Sequence, residues 1–404
     1  MKETLLLQKS QKYLEMLCNI INERCVGSNG NRQATFFFEK ELSILGWETK
    51  MSEFDAVDWE EKGAVLNSEE GNFELLVSPY SLPFKGEATL MAASTIEELE
   101  ALNATNKIVF LHGEIAREQL MPKNFVFYNP EEHQRIIAAL ENSGAKAIIS
   151  ATGRNAALAG GVYPFPLIED GDFDIPSVYL TEEEGINLLK LNGKTVFLQS
   201  GSKRIPGKGY NVIGQKGNKN SPRLVITAHI DAKKGTPGAI DNATGVIVLL
   251  LLADLLQDYN GNKLIELVAL NGEDYYAVPG QMKYITENKD KFQSMLLNIN
   301  IDGAGFMEGP TAFSLYDLPQ EIETKAKTVI TQFSGITEGI QWPQGDHSIF
   351  LQFGVPAIAV SSKWFTDNIN GQEITHTPKD NTSIVDCSKL VEISIALNSL
   401  IRSI

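Results

Sequence analysis

The sequence lacks most of the features that tie a chain to a membrane, a disulfide framework or a nucleic acid. Its three cysteines, Cys18, Cys25 and Cys387, are odd in number and lack metal-type spacing, which is typical of a reducing compartment. The densest apolar run, 246–256, is shorter than the roughly 20 residues that cross a bilayer, and it predicts a buried helix instead. Basic residues number 35 against 51 acidic ones, and the net charge of −16 argues against binding to nucleic acid or anionic membrane. A small molecule or a peptide is therefore the expected partner.

Residues 1–17 lack the unbroken apolar core of a signal peptide, because Lys, Glu and Gln interrupt the apolar residues. Neither internal repeats nor low-complexity tracts occur. We therefore expect a cytoplasmic globular protein, and the composition leaves a homo-oligomer open. The length of 404 residues and the hydrophobic content of 43% are enough for a large core and more than one domain.

The pattern of apolar residues predicts a main body with an inserted segment. Residues 5–46 are typical of two amphipathic helices separated by a glycine- and asparagine-rich loop. Short β-rich runs then predominate, with one helix-like stretch at 131–142 between them, which predicts a separate β-rich domain. The composition of 201–209 predicts a surface linker back to the main body. The expected domains are 1–53 with 206–404, and the inserted 54–205.

From residue 210 onward, strands rich in Val, Ile and Leu alternate with helical stretches. Strands are predicted at 224–227, 264–270, 296–301 and 356–361, and helices at 246–258, 282–292 and 386–404. This alternation is typical of an α/β fold with a mixed, mostly parallel sheet flanked by helices.

Acidic and histidine side chains lie where these strands are expected to run into loops, which is where an open α/β sheet places its ligand site. His229 ends the first strand, and Asp231 two residues later supplies the orienting acceptor that metal-bound histidines need. In isolation, His229 would be expected only to satisfy a loop carbonyl. Asp241 precedes the apolar helix, where it either caps that helix or bridges two cations.

Two further strand ends and a late loop complete the set. Glu273 and Asp274 follow one strand, and adjacent carboxylates repel one another unless solvent or cations neutralise them. One of the pair can therefore bind metal while the other handles protons. Asp302 ends the next strand, and His376 lies in a late loop. Two imidazoles with carboxylates and no thiolate suit zinc, with cobalt or manganese as alternatives, and a bridging carboxylate favours a two-metal centre.

Several motifs occur in a fixed order along the chain. They are His-x-Asp at 229–231, Pro-Gly-Ala-x-Asp-Asn-Ala-x-Gly at 237–245, Glu-Asp at 273–274, and the segments 300–303, 345–357 and 376–380. Together with 24–34 near the start, they resemble the di-zinc aminopeptidase family of metallopeptidase clan MH. This family includes aminopeptidase Y, glutamate carboxypeptidase II and the glutaminyl cyclases. Within the inserted segment, 107–111, 138–149 and 175–178 resemble a protease-associated (PA) domain.

The resemblance implies the fold of the zinc-dependent exopeptidases, which is phosphorylase/hydrolase-like, and a role for each candidate residue. His229 and Asp302 would bind one zinc ion, His376 and Asp274 the other, and Asp241 would bridge both. Glu273 would be the general base, and Asp231 would orient His229. The family's usual glutamate at the second position of the pair is Asp274 here, one methylene shorter. The alternatives for the second ion are therefore looser binding, a shifted position or absence.

Asp346, His347 and Asp380 also fall within the motifs that resemble the family. They are candidates for contact with substrate or for support of the metal ligands. For Asp346 and His347, a buried helix cap with a packed histidine is the structural alternative to substrate contact.

The function that the resemblance implies is a metal-dependent exopeptidase, with removal of N-terminal residues from peptides as the first expectation. Glu273 would take a proton from a water activated by two zinc ions. The alternatives are a glutaminyl-cyclase-like acyltransferase with one metal, and a binding protein that keeps the peptidase fold without turnover. The sequence leaves open whether amino or carboxyl ends are trimmed and which side chain is preferred.

Overall fold

The computed structural model describes residues 2–21, 23–155 and 159–404, and the chain divides into two compact units. One unit joins Met1–Ala56 to Lys208–Ile404, and the other is Val57–Gly207. The expected inserted segment is 54–205. Its assignment as a PA-like domain stays a prediction.

Helices and strands alternate along most of the described chain. The helices are α1 (Lys2–Glu15), α2 (Asn29–Ile44), α3 (Ile96–Ala101), α4 (Glu131–Asn142), α5 (Glu182–Leu188), α6 (Thr244–Leu255), α7 (Pro279–Asn288), α8 (Gln320–Gln332), α9 (His347–Gln352), α10 (Lys363–Asn368) and α11 (Cys387–Ser403). The strands are β1 (Glu48–Ser68), β2 (Gly71–Val77), β3 (Phe84–Ala93), β4 (Ile108–Leu111), β5 (Ala147–Thr152), β6 (Ser177–Thr181), β7 (Thr195–Gly217), β8 (Arg223–His229), β9 (Leu264–Leu270), β10 (Met295–Ile301), β11 (Thr311–Tyr316), β12 (Ile336–Glu338) and β13 (Ala357–Ser362). A short π-helical turn, Ala239–Ala243, precedes α6.

The first unit is built on a sheet with the strand order β7-β9-β8-β10-β13-β11-β12. The four strands β9, β8, β10 and β13 run parallel, with Ile226 paired to Leu267 on one side and to Ile299 on the other. Strands β7 and β11 are antiparallel to their neighbours β9 and β13. The parallel strands are buried almost throughout, as expected when helices cover both faces. The predicted mixed, mostly parallel sheet is confirmed.

Helix α6 is apolar on every side, and all of its residues except Asp254 are buried. It packs against β8 of the sheet and against α1, α2 and α11. A helix without a polar face is stable only when other elements surround it, and here helices cover the side that faces away from the sheet. The buried helix expected for the run 246–256 is therefore confirmed.

The second unit has its own core. Strands β3, β4, β5 and β6 run parallel, and β2 is antiparallel to β6. Apolar residues form two clusters, one containing Val109 and Ile148 and the other containing Phe110 and Ile149. Because neighbouring strand residues point to opposite faces, both faces of this sheet are covered. The helix expected at 131–142 is α4.

The surface linker expected at 201–209 is wrong, because this segment lies inside the long strand β7. Strand β7 pairs with β1 in addition to its other partners. Residues 201–208 are exposed or half-buried, so no alternation of apolar and polar residues marks them as a strand. A two-stranded ribbon whose faces are exposed to solvent can contain glycine and charged residues, which elsewhere favour a loop.

None of the helices in the described parts of the chain is long and apolar enough to cross a membrane.

Candidate metal centre

Three of the candidate segments meet because their strands are neighbours. Strand β8 ends at His229, β10 ends immediately before Asp302, and β9 ends three residues before Glu273. Parallel neighbours place their carboxyl ends at one edge of the sheet. Asp241 and His376 do not lie at strand ends. The expectation that each candidate residue follows a strand is therefore wrong for these two. Asp241 lies in the π-helical turn before α6, and His376 lies in the loop after α10.

Asp241 lies between the two histidines. Its Oδ1 is 3.0 Å from Nε2 of His229, and its Oδ2 is 3.2 Å from Nε2 of His376. On the first side, His229 Nε2 is 3.6 Å from Oδ1 of Asp302, and on the second side His376 Nε2 is 3.1 Å from Oδ1 of Asp274. The five residues therefore form two half-sites that share one carboxylate.

The donor atoms fit a metal ion. One ligand atom from each of His229, Asp241 and Asp274 lies within 4.8 Å of the others. Oδ2 of Asp274 is buried without a hydrogen-bond partner among the residues that the structure describes. Buried polar atoms are rarely left in this state unless an ion or a water completes the site. Nitrogen and oxygen donors in this combination suit zinc.

The charges in the cluster also favour a cation. Burial alone would lower the pKa of His229, but Asp302, Asp231 and Asp241 together raise it well above its ordinary value. Burial likewise opposes protonation of His376, and Asp274 and Asp241 raise the pKa of His376 well above its ordinary value. The carboxylates thus draw positive charge onto the imidazoles, and a bound metal would take over that role while releasing the protons.

Asp231 ties two of the strand ends together. Its carboxylate accepts hydrogen bonds from the N–H groups of Gly272, at 2.7 Å, and Asp274, at 2.9 Å. Nδ1 of His229 lies 3.2 Å from the carbonyl oxygen of Asp231 and 3.7 Å from its carboxylate. The contact that orients the imidazole is therefore closer through the backbone of Asp231 than through the side chain that the sequence pattern favours.

Glu273 is half-buried beside the cluster. Burial raises its pKa well above the ordinary value, and the nearby carboxylates of Asp274, Asp302 and Asp346 raise it further, whereas His229 acts in the opposite direction. This environment favours the protonated form of the carboxyl group, and a general base that later acts as an acid must be able to hold a proton.

Asp380 supports Asp241 through the backbone. Its two carboxylate oxygens accept the N–H groups of Ile240, at 2.7 Å, and Asp241, at 3.0 Å. The side chain is fully buried, and burial together with the charge of Asp241 raises its pKa to about 7, against the effect of these two hydrogen bonds. Asp380 therefore fixes the turn that carries Asp241.

Asp346 occupies the position before α9 but does not cap the helix with its side chain. Its carboxylate instead accepts a hydrogen bond from the side-chain amide of Gln281. His347 is buried between the rings of Tyr316 and Trp342, and its Nε2 lies 3.0 Å from the carbonyl oxygen of Trp342. Burial lowers the pKa of His347 to about 4, although the Trp342 carbonyl opposes the shift. The helix-cap alternative for Asp346 is wrong, and His347 is a packed, neutral histidine.

Sequence reasoning missed the role of Arg24. This residue is buried, and its guanidinium donates to four backbone carbonyls, those of Leu17, Ile230, Pro237 and Gly238. Three of these carbonyls lie between His229 and Asp241, so Arg24 holds the connection between two candidate ligands. A backbone carbonyl has no residue signature, and no sequence pattern could have identified these partners.

Asn242 was missed as well. Its side-chain oxygen accepts the N–H of Gly245, and its amide donates to the carbonyl of Ile301, just before Asp302. The capping expected as one alternative for Asp241 is thus supplied by the next residue, which leaves the Asp241 carboxylate to the histidines. The pair Asp-Asn before an apolar helix is a signal that could have suggested this division of roles.

Comparison with known proteins agrees with this geometry. Residues 211–401 match the sequence profile of Peptidase family M28. Aminopeptidase YwaD of Bacillus subtilis (strain 168) is 29% identical over 169 residues, which cover 41% of this chain and 35% of that protein. Leucine aminopeptidase 2 of Trichophyton rubrum is 22% identical over 287 residues, which cover 70% of this chain and 54% of that protein.

Solved structures show the same fold. The aminopeptidase from Aneurinibacillus sp. strain AM-1 matches with a TM-score of 0.74 and 19% identity, covering 98% of this chain and 93% of its own. BSAP, a zinc aminopeptidase from Bacillus subtilis, matches with a TM-score of 0.74 and 20% identity, covering 98% and 94%. The sequence matches span between about a third and about half of the length of these curated relatives. The matched region, residues 211–401, includes every candidate ligand described above, and it is this part of the chain that matches peptidase family M28.

Proposed function

We propose that this protein is a metal-dependent aminopeptidase that removes N-terminal residues from peptides. The observation that carries the proposal is the position of Asp241, with one carboxylate oxygen near His229 and the other near His376. A carboxylate between two half-sites is the arrangement that a two-metal hydrolase needs. The relatives named aminopeptidases support trimming at the amino end.

In this proposal, His229 and Asp302 hold one zinc ion, His376 and Asp274 hold the other, and Asp241 is shared. Bound zinc would supply positive charge that acidifies a water and polarises the scissile carbonyl. Glu273 accepts the proton of the attacking water and then delivers it to the nitrogen of the leaving amine. Its raised pKa suits this exchange, because the group must hold the proton between the two steps.

Two ions per chain are part of the proposal, despite the shorter side chain of Asp274. Asp274 Oδ1 lies 3.1 Å from Nε2 of His376, and the N–H of Asp274 donates to Asp231. The backbone contact holds Asp274 close to the shared carboxylate, which offsets the missing methylene. Cobalt and manganese are the alternative metals, because the same nitrogen and oxygen donors accept them.

The test compares release of a fluorophore from aminoacyl amides by zinc-loaded, cobalt-loaded and chelator-treated protein, with N-acetylated amides as controls. We expect metal-dependent release that requires a free α-amine, and two metal ions per chain by elemental analysis. Release from blocked amides would contradict an aminopeptidase. One ion per chain, with cyclisation of N-terminal glutamine in place of hydrolysis, would favour the acyltransferase alternative.

The variant Glu273→Gln tests the base. It keeps the shape of the side chain but cannot accept a proton, so we expect kcat to fall by roughly 10²–10⁴-fold with the metal content unchanged. Glu338→Gln removes an exposed carboxylate at the end of β12 and serves as the matched control. If Glu273→Gln hydrolyses substrate at a rate near that of Glu338→Gln, the assignment of the base is wrong.

A further inference from the structure

A cavity of about 360 Å³ lies at the amino ends of the strands whose carboxyl ends carry the metal centre. It is lined by the first residues of β8 and β9, Arg223 and Leu264, and by Ser294, which precedes β10. Strand β8 has seven residues, so at about 3.3 Å per residue its two ends are roughly 20 Å apart. The cavity is therefore separate from the candidate metal centre.

The lining is basic, although the chain carries a net charge of −16. Four lining residues are cationic and two are acidic; they are Lys50, Lys219, Arg223, Lys291, Glu266 and Glu287. Both acidic groups are already engaged, since Glu266 accepts from Arg223 and Glu287 lies 2.6 Å from Nζ of Lys50. The remaining positive charge faces no acidic partner that also lines the cavity.

Two lysines supply this excess. Lys291 forms no ion pair with any of the residues that the structure describes, and it is exposed. Lys219 pairs with Glu48 at 2.6 Å, but both side chains are more than half exposed, and such a pair contributes little. Both ammonium groups are therefore available to an anion that enters the cavity.

Arg223 adds a buried donor. The residue is only 8% exposed, and its Nε and Nη2 donate to Glu266, while Nη2 also donates to Asn288. Its Nη1 is buried and has no hydrogen-bond partner within the described parts of the chain. A buried guanidinium N–H without an acceptor is costly, so a partner is expected at this point.

We propose that this cavity binds a phosphate group, either free phosphate or the phosphate of a small metabolite. Arg223 is the buried donor, and Lys219 and Lys291 are the cationic groups at the rim. A guanidinium donor combined with two ammonium groups matches an anion that has several acceptor oxygens and up to two negative charges. The volume of the cavity is at the lower end of the range for small-molecule sites and leaves room for more than the phosphate group itself.

The experiment is isothermal titration calorimetry of the metal-loaded protein with inorganic phosphate, at an ionic strength matched with chloride. We expect saturable binding of phosphate by the wild type. Lys291→Gln should weaken this binding roughly threefold to tenfold, and the double variant Lys219→Gln/Lys291→Gln should weaken it by roughly tenfold or more, because charge-assisted contacts are lost. Lys40→Gln, which removes an exposed lysine that does not line the cavity, should bind like the wild type.

These variants change exposed side chains, so they should fold normally, and unchanged hydrolysis of an aminoacyl amide verifies this. Parallel titration with glycerol 3-phosphate distinguishes the source of the phosphate, since tighter binding than that of inorganic phosphate indicates a phosphorylated metabolite. Absence of saturable binding by either probe would overturn the proposal. Binding that both lysine variants leave unchanged would also overturn it, because the anion would then occupy the metal centre or the general surface.

Discussion

The substitution Arg24→Met tests whether a buried arginine outside the ligand set maintains the metal centre. Arg24 donates four hydrogen bonds, with a donor–acceptor distance of 3.0 Å to Ile230 and 2.7 Å to each of Leu17, Pro237 and Gly238. Methionine fills a similar volume but donates nothing, so four carbonyls lose a charged donor at once. A buried carbonyl left without a donor costs about 1–3 kcal/mol, and local relaxation restores some of the four, so we expect the free energy of unfolding to fall by about 3–5 kcal/mol.

Urea denaturation followed by tryptophan fluorescence measures the loss, and Arg32→Met is the matched control. Arg32 is half-buried in the same region and donates a single hydrogen bond, 2.7 Å long, to the carbonyl of Gly27. Its removal should therefore cost only about 1 kcal/mol. Equal unfolding midpoints for the two variants would refute the reasoning, because the number of carbonyl partners would then have no effect.

A second readout separates positioning from stability. Arg24 fixes the carbonyls of Ile230 and Gly238, which flank the connection from His229 to Asp241. We therefore expect Arg24→Met to weaken zinc binding by roughly 10–100-fold in conditions where the variant is fully folded, as for other residues that support metal ligands. Arg32→Met should bind zinc like the wild type. If Arg24→Met also bound zinc with wild-type affinity, Arg24 would stabilise the fold without positioning the metal ligands.

Two further predictions concern packing and pH. A Cβ at Gly245 would lie 2.5 Å from both Asn242 Oδ1 and the carbonyl oxygen of Ile301. Gly245→Ala should therefore lower the unfolding free energy by about 1–3 kcal/mol and weaken zinc binding. A Cβ at Gly371 would have nothing within 4 Å, so Gly371→Ala should change neither quantity. His347 lowers the stability of the folded chain as the pH falls from 6.5 to about 4, because its imidazole takes up a proton at the ordinary pKa only when unfolded. Asp380, with a pKa raised to about 7, acts in the opposite direction over this range, so the test is the difference between the wild type and His347→Gln. Relative to its value at pH 6.5, the urea midpoint at about pH 4 should be lower in the wild type than in His347→Gln, and an equal pH dependence would contradict the buried, neutral state of His347.

The central strands of the sheet could be predicted because they are buried on both faces, and continuous Val, Ile and Leu mark such strands directly. The strand at 201–208 could not be predicted in this way. This part of β7, which pairs with β1, is exposed or half-buried, so its sequence has no apolar run. Strand β11 and helix α8 were not predicted. Strand β11 is buried at five of its six positions but contains Thr and Ser, which interrupt the apolar run. Helix α8 buries Ile322, Ala326, Val329 and Ile330 at helical spacing, but the polar residues between them weaken the apolar signal. Continuous Val, Ile and Leu therefore made an element easier to predict than burial alone did.

In the candidate site, the converging side chains were predictable from the sequence and their supporting contacts were not. The side chains that converge on the centre could be named from the sequence, because carboxylates and imidazoles in these motifs have few other reasons to occur together. The supporting contacts could not be predicted, since they run through backbone groups. Asp231 accepts from the N–H of Gly272, Asp380 accepts from that of Ile240, and Arg24 donates to carbonyls. Any residue type supplies these partners, so only the folded chain identifies them.

The burial of α6 has a consequence for the order in which the chain acquires its structure during synthesis. This helix is covered by α1, from the first residues of the chain, and by α11, from the last ones. While the ribosome is still adding residues 387–403, an apolar helix near the middle of the sequence has no cover on one side. The segment Val57–Gly207, with its own core, is complete long before that point and can fold first. The unit that carries the metal centre must instead wait until residues 387–403 have left the ribosome, and α6 is the segment that a chaperone would need to shield until then.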